Sequence, residues 1–199
     1  MDSAIKIPTT RNGKATFNLI IDSTINLFYE QGYHATTIAN ITDSAGIGAG
    51  TFYLYFPNKL ALYIYILKQL KHDIRKEIAV NVANVEGRFE KEKEGIKTFI
   101  KFAIDHPYSY NIIWESLYID KNLFIDYYDG FAKRYEIALN QSIKDGEMYD
   151  VDTELVSYIF MGVSNFIGLK ILLNLGKNND DIDKIVDQVM DIIKTGIFK

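Results

Sequence analysis

Apolar side chains recur three and four residues apart along nearly the whole chain, a spacing that leaves little room for anything except helices. Only Pro8, Pro57 and Pro107 interrupt it, and no alternating valine- or threonine-rich segment offers a strand. Phe17, Ile20, Ile21, Thr24, Leu27 and Phe28 line one face of a first helix, which Gly32 ends as a C′ residue does. Thr36 or Thr37 caps a short helix that stops at Gly46, and residues 48–55 make barely two turns before Pro57. Pro57-Asn58 then opens a long helix through Leu62, Ile66, Leu70, Ile74 and Ile78, reaching about Ala83.

Beyond residue 85 the same spacing predicts helices over Phe89–Ile104, Tyr108–Leu117 and about Asn122–Lys144. Leu155, Ile159, Gly162, Phe166, Leu169 and Leu173 then alternate steps of four and three, a heptad-like seam. Ile182, Ile185, Val186, Val189, Ile192 and Ile193 give a last helix a second apolar face. Two such faces can bury against the chain's own core or against the same pair from a second subunit in a four-helix interface. The fold class is all-α.

Composition narrows the function. With 199 residues and 48% apolar content the chain supports one sizeable core, or a small module joined to a larger one. No apolar run reaches the roughly 18 residues of a membrane span, and the N-terminus lacks the pattern of a secretory signal, so no membrane partner is expected. The absence of cysteine excludes disulfides and thiolate metal sites, and fits a cytoplasmic protein. His34, His72 and His106 show no metal-ligand spacing, and Gly46-x-Gly48-x-Gly50 follows no strand and misses the dinucleotide fingerprint. No nucleophile motif occurs, and Glu90-Lys91-Glu92-Lys93-Glu94 reads as a solvated helix start. No metal, cofactor or catalytic residue is therefore expected, and the chain reads as a non-enzyme.

The segment from Gly32 to Leu62 carries the positive signal. A polar-capped helix, a glycine turn and a second short helix follow one another, as in a helix-turn-helix that places one helix in a DNA groove. Phe28, Ile38, Ile41, Ala45, Ile47, Phe52 and Phe56 supply a small core, and Gly46 permits the turn. Thr36 and Thr37 offer hydroxyls at a helix start, and Lys59 a phosphate contact. Residues 48–56 hold no Arg, Lys, Asn or Gln, the usual bidentate base readers. Ala49, Thr51, Tyr53, Leu54 and Tyr55 remain, which predicts readout of thymine methyls and DNA shape on an A·T-rich operator. Charge opposes this mildly, because the net charge is −4 and residues 1–60 balance. A helical interaction module that binds no DNA is the rival reading.

Residues 14–62 resemble the N-terminal domain of TetR-family transcriptional repressors. The matching pieces are Leu27-Phe28-Tyr29-Glu30-Gln31-Gly32-Tyr33, Thr36-Thr37-Ile38-Ala39-Asn40-Ile41, Ala45-Gly46-Ile47, and Gly50-Thr51-Phe52-Tyr53-Leu54-Tyr55-Phe56-Pro57-Asn58-Lys59 with Leu62. The resemblance implies a homodimeric repressor on a pseudo-palindromic double-stranded DNA operator, released by a small-molecule effector. It places Thr37, Gly50, Thr51, Tyr53, Tyr55 and Lys59 at DNA; with Thr36, Ala49, Leu54 and Lys14 these form the predicted contact set. Two positions depart from the family pattern. Gly48 stands where Ser or Thr often caps the recognition helix, and Phe17 stands where a basic residue is common.

The expected organisation is thus a three-helix DNA-binding domain over 14–74, its helix-turn-helix at about 37–56. A long helix joins it to a larger helical effector-binding and dimerisation domain over 75–199, which dimerises through the two C-terminal helices. Phe102, Trp114, Glu115, Tyr118, Tyr128, Tyr135, Phe160 and Asn165 are the candidate effector contacts, drawn from an aromatic-rich stretch and the helices after it. Glu115, a carboxylate among aromatics, suggests a cationic effector as its partner.

Overall fold

Residues 5–174 and 182–195 are described by a computed structural model, and among them the backbone forms nine helices and no strand. In order they are α1 (Arg11–Ala35), α2 (Ile38–Ser44), α3 (Ala49–Tyr55), α4 (Lys59–Val82), α5 (Arg88–Asp105), α6 (Tyr108–Ile119), α7 (Lys121–Lys144), α8 (Thr153–Asn174) and α9 (Ile182–Thr195). The ends follow local chemistry. The Thr10 hydroxyl accepts the Gly13 N–H at 3.2 Å to start α1, and the Asn58 side chain accepts the Ala61 N–H at 2.8 Å to start α4. Thr37 and Asn40 form a reciprocal capping box at α2. Gly32, at φ 82° and ψ 167°, breaks the helical path inside α1, and Gly46, at φ 63°, turns α2 toward α3.

The helices group into two compact units. One holds the chain up to His72 together with Tyr108–Phe124; the other holds Asp73–Pro107 and the residues from Ile125 onward. The compact units therefore do not follow the consecutive stretches 14–74 and 75–199, because α6 packs with α1. The first unit buries Phe17, Ile20, Phe28, Ile41, Ala45, Phe52 and Phe56, whereas Ile38 and Ile47 are only half-buried. Phe17 stacks on Phe56 with ring centroids 4.9 Å apart, which is why an aromatic rather than a cation suits that position.

The second unit is built on Ile96, Ile100, Phe160, Ile171, Val186 and Met190, from α5, α8 and α9. Lys93 and Lys97 of α5 pair with Asp187 and Asp183 of α9. The run Glu90 to Glu94 is thus not uniformly solvated: Glu92 is 6% exposed and Lys93 is paired. The expectation that no segment is apolar enough to span a membrane also needs correction. Thr153–Leu173 is long and apolar enough by length and composition. One side of α8 packs on α5 while Leu155, Ile159, Phe166 and Leu173 stay exposed, so the helix is apolar on more than one face.

Candidate DNA-contacting surface and effector cavity

The helix-turn-helix presents α3 to solvent. Phe52 is buried beneath it, and the chain leaves Tyr53 55% and Leu54 60% exposed on the opposite side, with Ala49 and Gly50 also exposed. Thr51 and Tyr55 are half-buried, and the Tyr55 ring meets Phe17 edge-on at 5.7 Å. Gly48 is the N-cap of α3 and supplies no side-chain hydrogen bond. Lys14 and Thr37 are exposed.

Two members of the predicted contact set lie elsewhere. Thr36 is fully buried: its hydroxyl donates to the Gly32 carbonyl at 2.8 Å and accepts from the Gln31 amide at 3.2 Å. Its side chain closes the end of α1 and is not offered to a phosphate. Lys59 is half-buried, and its ammonium donates to the carbonyls of Tyr33 and Thr36 while lying 4.0 Å from the centre of the Tyr33 ring. Burial lowers the Lys59 pKa, and the Glu115 carboxylate partly offsets this. The cation satisfies carbonyls left open where α1 breaks.

Glu115 belongs to this same junction. Both its carboxylate oxygens accept the Tyr33 backbone N–H, at 2.9 and 3.0 Å. A β-carbon at Gly32 would come within 2.7 Å of Glu115 Oε1, so this glycine is required by its φ and by space. Tyr63, fully buried, donates its hydroxyl to the Ile112 carbonyl of α6. Glu115 therefore already has its partner inside the chain, and the cationic-effector expectation is withdrawn. Trp114 and Tyr118, on the same helix, are exposed and also belong to the first unit.

The second unit contains a cavity of about 370 Å³. Tyr128, Tyr135, Phe160 and Asn165 line it; Trp114, Glu115, Tyr118 and Phe102 do not. Phe102 is buried and stacks on His106 at 4.3 Å, so it is core. Tyr128 donates its hydroxyl to the Asn165 carboxamide at 3.4 Å, and burial pushes the phenol up to about 12. Sequence reasoning missed the charged wall: Arg75, Arg88, Lys91, Glu92 and Arg134. A signal existed, because Arg75, Ile78, Ala79 and Val82 stand at i, i+3, i+4 and i+7 on one face of α4.

Glu92, itself part of this lining, is paired with Arg88 one turn earlier. Burial pushes its carboxyl up to about 7, and Arg88 opposes the rise. A carboxyl raised on folding contributes stability that is full below the ordinary carboxylate pKa and lost as pH rises through about 7. The loss is on the order of 3 kcal/mol. Thermal unfolding of the wild type should therefore shift to lower temperature between pH 5 and pH 8, and Glu92→Gln should flatten that profile.

Comparison with known proteins agrees with this architecture. Residues 20–66 match the family model described as bacterial regulatory proteins, tetR family. The fatty acid metabolism regulator protein of Bacillus subtilis is 25% identical over 187 residues, covering 89% of this chain and 93% of that protein. The fatty acid degradation regulator FadR from Bacillus halodurans superposes with a TM-score of 0.80 at 19% identity, over 96% of this chain and 98% of that one. FadR from Bacillus subtilis, solved in complex with stearoyl-CoA, gives a TM-score of 0.75 at 20% identity, over 92% and 100%. The module with α2 and α3 is of the helix-turn-helix class of DNA-binding domains. Residues 20–66 are thus a module of the tetR type, and the described helices have the fold of TetR-family regulators.

Proposed function

We propose that this regulator is a homodimeric repressor whose DNA release is triggered by an amphiphilic acyl effector, a fatty acid or its coenzyme A thioester. The cavity carries the reading: its lining combines apolar residues including Ile78, Val82 and Phe99 with the arginines Arg75, Arg88 and Arg134. An alkyl chain fits such walls, and an anionic head fits the arginines. The relatives named as fatty acid regulators, and the stearoyl-CoA complex of one FadR, point to the same ligand class.

The DNA face consists of Lys14, Thr37, Ala49, Gly50, Thr51, Tyr53, Leu54 and Tyr55, and the dimer face of the exposed sides of α8 and α9. Such a dimer sets two α3 helices in successive major grooves, and the protein works in the cytoplasm where its operator lies. Helix α4 is the physical link, since it starts at Lys59 in the DNA-binding unit and carries Arg75, Ile78 and Val82 to the cavity. An effector that favours one setting of α4 shifts the population away from the DNA-competent form, and operator DNA opposes effector binding equally.

Selection of operators from random DNA, followed by release with acyl-CoA, tests the whole reading. The expected product is a pseudo-palindrome with A·T-rich half-sites, whose affinity falls steeply with salt and which lauroyl-CoA displaces. A G·C-rich core read at each guanine would overturn the readout mode, and no displacement by any acyl ligand would overturn the effector class.

A further inference from the structure

We propose that Arg75 is the anion-docking residue of the cavity, while its neighbour Arg88 is reserved by Glu92 and takes no part in holding the head group. The proposal rests on the acyl-effector reading and narrows it to one contact. Arg75 lies on the inner face of α4, donates one Nη2–H to the Gly130 carbonyl and sits over the Phe131 ring at 4.5 Å. Its Nε is buried and meets no acceptor. Among the described residues no carboxylate pairs with it; burial disfavours its charge, and the neighbouring cation Arg134 adds to that.

Arg88 differs. Its Nε and Nη2 both donate to Glu92, whose carboxylate is buried beside it. Those two Arg88 donors are already engaged, whereas Arg75 is a partly desolvated cation in the cavity wall with one donor that meets no acceptor. Burying a charge without a counter-charge is unfavourable, and an incoming anion removes that cost. The guanidinium fork suits a planar carboxylate or a phosphate, and the stacking on Phe131 holds the fork in place. The ligand this selects has one apolar chain and one anionic head. A fatty carboxylate and a coenzyme A phosphate share that chemistry.

Isothermal titration of the full chain with laurate, lauroyl-CoA and dodecanol separates the possibilities, using wild type, Arg75→Met and Arg75→Lys. Arg75→Met should weaken the anionic ligand by at least about 30-fold while changing dodecanol by less than about threefold. Arg75→Lys should restore much of the loss. Whichever of laurate and lauroyl-CoA shows the loss identifies the head group. In the ligand-free protein, Arg75→Met should leave the melting temperature unchanged or raise it, because a partly desolvated cation with no counter-charge is removed. Anionic ligands bound by Arg75→Met as tightly as by wild type would overturn the docking point alone. So would an equal loss for all three ligands with a lowered melting temperature, which is the signature of a merely structural arginine. Failure of wild type to bind any of the three would overturn the acyl reading, and the docking point with it.

Discussion

Replacing Phe166 and Leu173 together by aspartate should convert the protein to a monomer that has lost specific operator binding. Both residues are on α8, 64% and 74% exposed, and Leu155, Ile159, Ile192 and Ile193 of α8 and α9 add further exposed apolar surface. A stable dimer needs about 800 Å² buried per partner, and a stripe over two helices of this length can supply that. Two carboxylates on this stripe would be desolvated without partners on association, and one near the two-fold axis would face its own copy. Sedimentation should show a dimer dissociation constant at least 100-fold higher, and operator affinity should fall about 10²- to 10⁴-fold through lost bivalency. The helical circular dichroism should persist, and the melting temperature should cease to depend on protein concentration. A variant that stays dimeric would place the interface elsewhere.

Substituting Lys59 by methionine should lower the melting temperature by about 5–15 °C, corresponding to about 2–4 kcal/mol. The methionine keeps the apolar stem but removes two charge-assisted hydrogen bonds to the carbonyls of Tyr33 and Thr36 and the contact with the Tyr33 ring. It also removes the cation that accompanies Glu115 at the point where α1 breaks. Differential scanning calorimetry separates this from a role at DNA. A lysine used for a phosphate would leave the melting temperature unchanged and reduce the salt dependence of operator binding by about one counter-ion. That outcome would mean the ammonium leaves the α1 carbonyls when DNA is present.

Helix content and most helix ends were legible because they are local. The spacing of apolar residues marks a helical face, Thr37 and Asn58 cap by short-range hydrogen bonds, and only glycine accepts the positive φ at Gly32 and Gly46. The exposed α3 face was legible for the same reason, since Phe52 and Phe56 share one side and leave Tyr53 and Leu54 outward. Thr36 was misread because two adjacent threonines both suit a helix start, and the side chain that turns inward is decided by the break at Gly32.

Partners distant in sequence were not legible. Glu115 lies 82 residues from the Tyr33 N–H it accepts, and nothing in its neighbourhood of aromatics names that amide. Trp114 and Tyr118 belong with α6 to the first unit and do not line the cavity, whose cations come from α4, α5 and α7. Amphipathic periodicity states that a helix has an apolar face, and local chemistry states where it starts and stops; both hold whatever the rest of the chain does. Which helix that face meets, and whether a carboxylate or guanidinium finds a counter-charge when buried, depends on the sum of all packing free energies. Only the assembled helices settled that Glu115 holds α1 and that Arg75 lines the cavity with no ion pair among the described residues.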